Sequence, residues 1–197
     1  EGLVRRNAEM DIEPSLATRW EPLEEEDGWR FHLRRNVTFH GGEPFTSDDV
    51  LFSYERAISE TSDVTSWFAP VERVRVINDY TIDFITTNPN PLFPDSIANF
   101  MIMSREWAEA NRAETPASQA ENHATRNTNG TGPFVLNARS PGVETSLVPN
   151  RQWWDEAEHN LTEAIYTPIE NQSTALSALL SGEIDLISPV PLQDVRR

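Results

Sequence analysis

Apolar and polar side chains alternate with period two in several stretches of this chain. Trp29, Phe31 and Leu33 alternate with Arg30, His32 and Arg34, the pattern of a half-buried β-strand. Residues 71–77 and 81–86 repeat it, and Asn78-Asp79-Tyr80 between them predicts an antiparallel hairpin. Residues 134–139 and 144–148 flank Pro141-Gly142 and predict a second hairpin. Residues 163–166 and 184–187 read as further strands.

Helical periodicity appears elsewhere. Thr46 followed by Asp49 forms a capping-box pattern, and Val50, Leu51, Tyr54, Ala57 and Ile58 then share one face. The spacing predicts a helix over 48–59. Asn171 is placed to cap a second helix through Leu180, closed by Ser181-Gly182. Pro89, Pro91 and Pro94 break the chain before shorter helical patterns over 93–99, 105–112 and 117–123. Residues 14–20 read as a short packed segment, Glu24 to Gly28 as a solvated acidic turn, and 62–70 as a short helix or loop. Asn129-Gly130-Thr131-Gly132-Pro133 interrupts the pattern most strongly, and its two glycines suggest a hinge or domain junction. This mixture of antiparallel hairpins and helices places the chain in a mixed α/β (α+β) class.

Charge narrows the function classes. The 197 residues carry a formal charge of -16, and all 16 basic residues are arginine. Nucleic-acid and anionic-lipid docking both need clustered cations, so neither fits this surface. Mutual repulsion of carboxylates favours solubility, and adaptation to high salt is a sharper reading of the same excess. With no cysteine there is no disulfide framework and no thiolate chemistry.

Candidate chemistry is sparse. His32, His40, His123 and His159 show no metal-ligand spacing. Asp48-Asp49 suits the first turn of a helix better than a catalytic carboxylate pair. No serine sits in a nucleophile motif. Gly130-x-Gly132 lacks the third glycine and the following helix of a dinucleotide site. The sequence therefore points to no catalytic residue, no metal and no cofactor.

Several motifs together resemble the family-5 extracellular solute-binding proteins of ABC importers, a family of dipeptide, oligopeptide, nickel and related binders. They are Pro14-Ser15-Leu16-Ala17-Thr18-Arg19-Trp20, Phe31-His32-Leu33-Arg34, the turn from Phe39 to Phe45, and Asp49-Val50 with Ser53. Gly130-Thr131-Gly132-Pro133-Phe134, Asn150 with Trp153-Trp154, and Ser181-Gly182-Glu183-Ile184-Asp185 continue the series in family order. Gly41 stands where the family usually has Asp.

The resemblance implies part of a type II periplasmic-binding-protein-like fold. Residues 8–129 would form a smaller second domain; 1–7 and 130–197 would belong to the first, and a second lobe would lie outside this stretch. It also implies a non-enzymatic, monomeric, periplasmic capture protein that delivers a peptide or related small solute to membrane permease subunits. A hydrolase or an interaction module on the same scaffold is the alternative. Trp20, Trp29, Trp153 and Trp154 fall in the family's packing motifs and are expected in the core. Trp67 and Phe68 lie in a Ser/Thr-rich loop that faces the cleft in the resembling proteins; burial beneath the following hairpin is the other reading. Asn99 and Met101 fall in a second stretch where the family presents solute-facing groups.

Overall fold

The computed structural model describes residues 1–116 and 121–190. Three antiparallel sheets organise it. Val4–Arg6 (β1) pairs with Ile12–Pro14 (β2). Ala17–Pro22 (β3), Gly28–Leu33 (β4), Val71–Asn78 (β5) and Thr81–Thr86 (β6) form a four-stranded sheet in the order β3-β4-β6-β5. Phe134–Ser140 (β7), Glu144–Pro149 (β8) and Ala164–Tyr166 (β9) form the third. Both predicted hairpins are present, as is the strand predicted over 163–166.

The helices are Ser47–Ala57 (α1), Phe93–Ser96 (α2), Arg105–Ala110 (α3), His123–Arg126 (α4) and Gln172–Ser181 (α5). The capping box of α1 forms as predicted: Asp48 N–H donates to Thr46 Oγ1 and Thr46 N–H donates to Asp49 Oδ2 at 2.9 Å. α5 starts where Asn171 Oδ1 accepts Thr174 N–H and ends at Gly182, whose φ of 76° is left-handed. The helix expected over 117–123 falls partly outside the described residues.

Two expectations fail. Residues 184–187 form no strand, and Leu186 is 80% exposed. A strand exists only when its backbone groups are paired, and none of the described strands pairs with this stretch. The acidic turn is not wholly solvated either. Glu26 folds back onto β5, where it meets Arg73 and, at 2.7 Å, Arg75.

One face of the four-stranded sheet builds the core against α1. Phe31 and Phe84 meet edge to face at 5.7 Å, and Tyr54 of α1 meets Phe84 at 5.9 Å. The opposite face carries charge. Asp83 is fully buried there between two arginines: Arg30 Nε reaches Oδ1 at 2.7 Å, and Arg75 Nη2 reaches Oδ2 at 2.8 Å. Burial alone raises the pKa of this carboxyl, but the two guanidiniums overcome it and hold the group below the ordinary range.

Candidate functional site

Phe68 joins the two stretches that sequence reasoning singled out. Thr65–Phe68 forms a single 3-10 turn after α1. Phe68 points inward: it is 2% exposed and packs on Tyr54 at 5.2 Å and on Phe100 at 4.8 Å. Its expected role facing a solute is therefore corrected, because its ring belongs to the aromatic core. Trp67, its neighbour, remains half-buried and packs against the edge of that core.

The Phe68–Phe100 contact brings the Trp67 turn beside residues 99–103. Asn99 closes a turn, and the segment from there alternates in burial. Phe100 and Ile102 enter the core, whereas Asn99 and Met101 face outward, Met101 with 58% of its surface exposed. An exposed, flexible, polarizable methionine is suited to apolar contact with varied partners. Asn99 adds an amide able to donate and accept.

The segment is fixed to the start of the chain. Met101 bridges Gly2, and Ile102 N–H donates to Glu1 O at 3.0 Å. A Cβ at residue 2 would lie 2.9 Å from Phe100 O, so the close approach needs glycine there. Glu1 adds polar groups that the sequence did not bring to notice. Its carboxylate accepts Trp153 Nε1–H at 3.2 Å and Trp154 Nε1–H at 2.7 Å. Both indoles are half-buried rather than fully in the core, and Arg34 stacks over Trp154 at 3.9 Å. Buried indole N–H groups need acceptors, and the adjacent tryptophans were the available signal for one.

The Gly-Thr-Gly stretch runs next to this surface. His40 clasps it: Gly130 N–H donates to Nδ1 at 3.3 Å, and Nε2 lies 3.0 Å from Gly132 O. Together these contacts define the Nε2–H tautomer. Asn129 reinforces the clasp, accepting Gly41 N–H at 2.8 Å and donating to Glu43 at 3.0 Å. Neither glycine here is sterically required, since a Cβ at 130 would meet only His40 Cε1 at 3.5 Å. His40 thus holds two backbone segments together.

The half-buried Trp67 and the exposed Asn99 and Met101 lie on stretches joined by the Phe68–Phe100 contact. Two concavities lie elsewhere. One, of about 330 Å³, is lined by Glu21, Glu26, Arg30 and Arg75 on the charged face of the sheet. The other, of about 270 Å³, lies between the starts of α1 and α3, beside Asp48 and Arg105. Arg75 is paired with Glu26 and Asp83 beside the first, and Arg105 with Asp48 beside the second. Among the described residues no group of three or more His, Asp or Glu side chains is placed to hold a metal.

Residues 11–197 match the model of the bacterial extracellular solute-binding proteins, family 5 Middle. The periplasmic murein peptide-binding protein MppA of Escherichia coli (strain K12) is 27% identical over 210 residues, covering 97% of this chain and 38% of that protein. The unliganded open form of MppA superposes with a TM-score of 0.83 at 25% identity, covering 100% of this chain and 42% of that structure. The agropinic acid complex of AgaA from A. tumefaciens R10 gives the same TM-score at 25% identity, over 99% of this chain and 38% of that structure. The chain thus spans well under half the length of the proteins it matches.

Proposed function

The chain belongs to the family-5 bacterial extracellular solute-binding proteins, and we propose that it supplies one wall of a solute-binding cleft in the capture component of an ABC importer. Members of this family bind solutes rather than transform them. The observation that carries the reading is the Phe68–Phe100 contact, which joins the turn carrying half-buried Trp67 to the stretch carrying the exposed Asn99 and Met101. A rigid wall with an apolar surface and one amide suits a solute that is oriented by few polar groups and enclosed by a second surface.

In this reading residues 8–129 are the smaller domain, and 1–7 with 130–197 are part of the first. A second lobe completes the trap. Closure on the solute then presents the form that docks on the permease. A peptide is the leading solute class, since MppA is a murein peptide-binding protein. The protein works outside the cytoplasmic membrane as a monomer, with no metal, cofactor or nucleic acid. Among the described residues no helix is long and apolar enough to cross a membrane.

The test is a titration of the intact two-lobed protein with a pool of tripeptides, read by tryptophan fluorescence and by mass spectrometry of the peptides. A saturable shift with the peptides unaltered is expected. Cleaved peptides would establish an enzyme, and an unchanged spectrum would reject peptides as the solute class.

A further inference from the structure

α1 buries polar residues that its apolar periodicity does not explain, among them Asp49 and Ser53. Asp49 is 7% exposed and Ser53 is 4% exposed, one helical turn apart on the same face. Neither turns toward the four-stranded sheet for a partner. Each gives one acceptor to the backbone that follows Asn99 and Met101. Met103 N–H donates to Ser53 Oγ at 2.9 Å, and Arg105 N–H donates to Asp49 Oδ1 at 3.0 Å. The Ser53 hydroxyl hydrogen goes back to Asp49 O at 2.7 Å.

Asp49 has a double task. Its second oxygen accepts Thr46 N–H at 2.9 Å. One carboxylate therefore caps the helix it belongs to and the helix that follows the segment. An amide side chain has only one oxygen and could not accept on both sides. Desolvation of this carboxylate is costly and raises its pKa, although backbone N–H groups of Arg105 and Thr46 partly offset it. An apolar residue at either position would leave buried N–H groups without acceptors.

The upstream end of the segment is held differently. Phe100 sits in the core against Phe68, and Ile102 N–H is bound to Glu1 O. Met101 lies between these two anchors, and the polar pair holds the backbone that follows them. In an extended segment, the direction of an outward side chain follows from the backbone on both sides of it.

We propose that Asp49 and Ser53 are positioning residues for the solute-facing wall: they fix the 103–105 end of the segment on α1 and thereby the direction of Met101 and Asn99. The proposal rests on the reading of that wall as solute-facing. It explains why a helix of the core carries a buried Asp and Ser at this spacing.

Ser53→Ala tests it, with Ser47→Ala as the matched control. Ser47 is also buried on α1, but its hydroxyl donates to Asn78 O at 2.8 Å, on the hairpin side. Two readouts are needed. The first, on this chain, is hydrogen exchange at the Met103 amide together with the NMR signal of the Met101 methyl. The second, on the intact protein, is affinity for the tripeptide pool.

Ser53→Ala is expected to speed Met103 exchange by about tenfold, the scale of one buried hydrogen bond. It should also shift or split the Met101 methyl signal and weaken binding several-fold. Ser47→Ala should do neither while losing similar stability. The proposal is overturned if Ser53→Ala leaves the methyl signal and Met103 exchange unchanged, or if both variants weaken binding equally. Should the unsubstituted protein bind no tripeptide, the peptide-capture reading fails; the positioning claim is then decided by the exchange and methyl data alone.

Discussion

Replacing Asp83 by Asn should expose how the charged face of the sheet is held. Asp83 is fully buried, and it accepts from Arg30 at 2.7 and 2.9 Å and from Arg75 at 2.8 and 3.2 Å. Asn keeps the shape but not the charge. Its one oxygen can serve one guanidinium, while its NH₂ group must face the other, donor against donor. Removing one partner of a fully buried pair costs about 3–5 kcal/mol. Here each arginine keeps about a third of its side chain in water, 34% and 38% exposed. Hydration therefore relieves part of the loss, and exposed pairs are worth at most about 1 kcal/mol. The expected loss lies between these limits, about 2 kcal/mol. For a chain of this size that lowers Tm by roughly 4–8 °C.

Urea unfolding at neutral pH, repeated toward acid, measures it. The sign follows from the depressed pKa of Asp83. Its contribution is present above the unfolded-state carboxyl pKa and is lost as pH falls through the lower folded value. The gap between the parent and Asp83→Asn should therefore close on acidification. Asp49 has the opposite sign, because its pKa is raised; its carboxylate weighs against the fold above that raised value and no longer does below the unfolded one. A neutral-pH gap under about 0.5 kcal/mol, or a gap indifferent to acid, would refute the ionic account.

Other outcomes follow from the same structure. Phe68→Ala should cost about 3–5 kcal/mol in chemical unfolding, as for a fully buried ring, whereas Trp67→Ala should cost much less stability but weaken binding of the tripeptide pool. Gly28→Ala should be severely destabilising, because residue 28 has a φ of 150° and a Cβ there would collide with Phe84 O; Gly130→Ala should leave Tm nearly unchanged, since its Cβ meets only an ordinary contact. Added sodium chloride should raise Tm, because screening relieves the repulsion of a chain with a formal charge of -16; a fall in Tm would mean that the attractive ion pairs dominate.

Local signals were legible in the sequence, and long-range ones were not. The capping box of α1, the Asn171 cap and the left-handed Gly182 are all set by residues within one or two turns. The β5–β6 hairpin needed only its own alternation and a two-residue connection, Asp79-Tyr80. β3 was harder to see, since its pairing with β4 shifts register between Ala17 and Arg19 and its alternation breaks there. Whether Trp67 or Phe68 faces inward depends on the phase of a single short turn, which periodicity cannot supply. The burial of Asp49 and Ser53 arises from a segment some fifty residues away, and the His40 clasp from one about ninety residues away. Local pattern carries no trace of such partners.

The most direct test of the capture account is native mass spectrometry of the intact protein, purified without denaturation. The account predicts one small solute per protein, released chemically unchanged when the protein unfolds and replaceable by a competing peptide. A protein that retains no small molecule, takes up none from the tripeptide pool, or releases it altered would contradict the account.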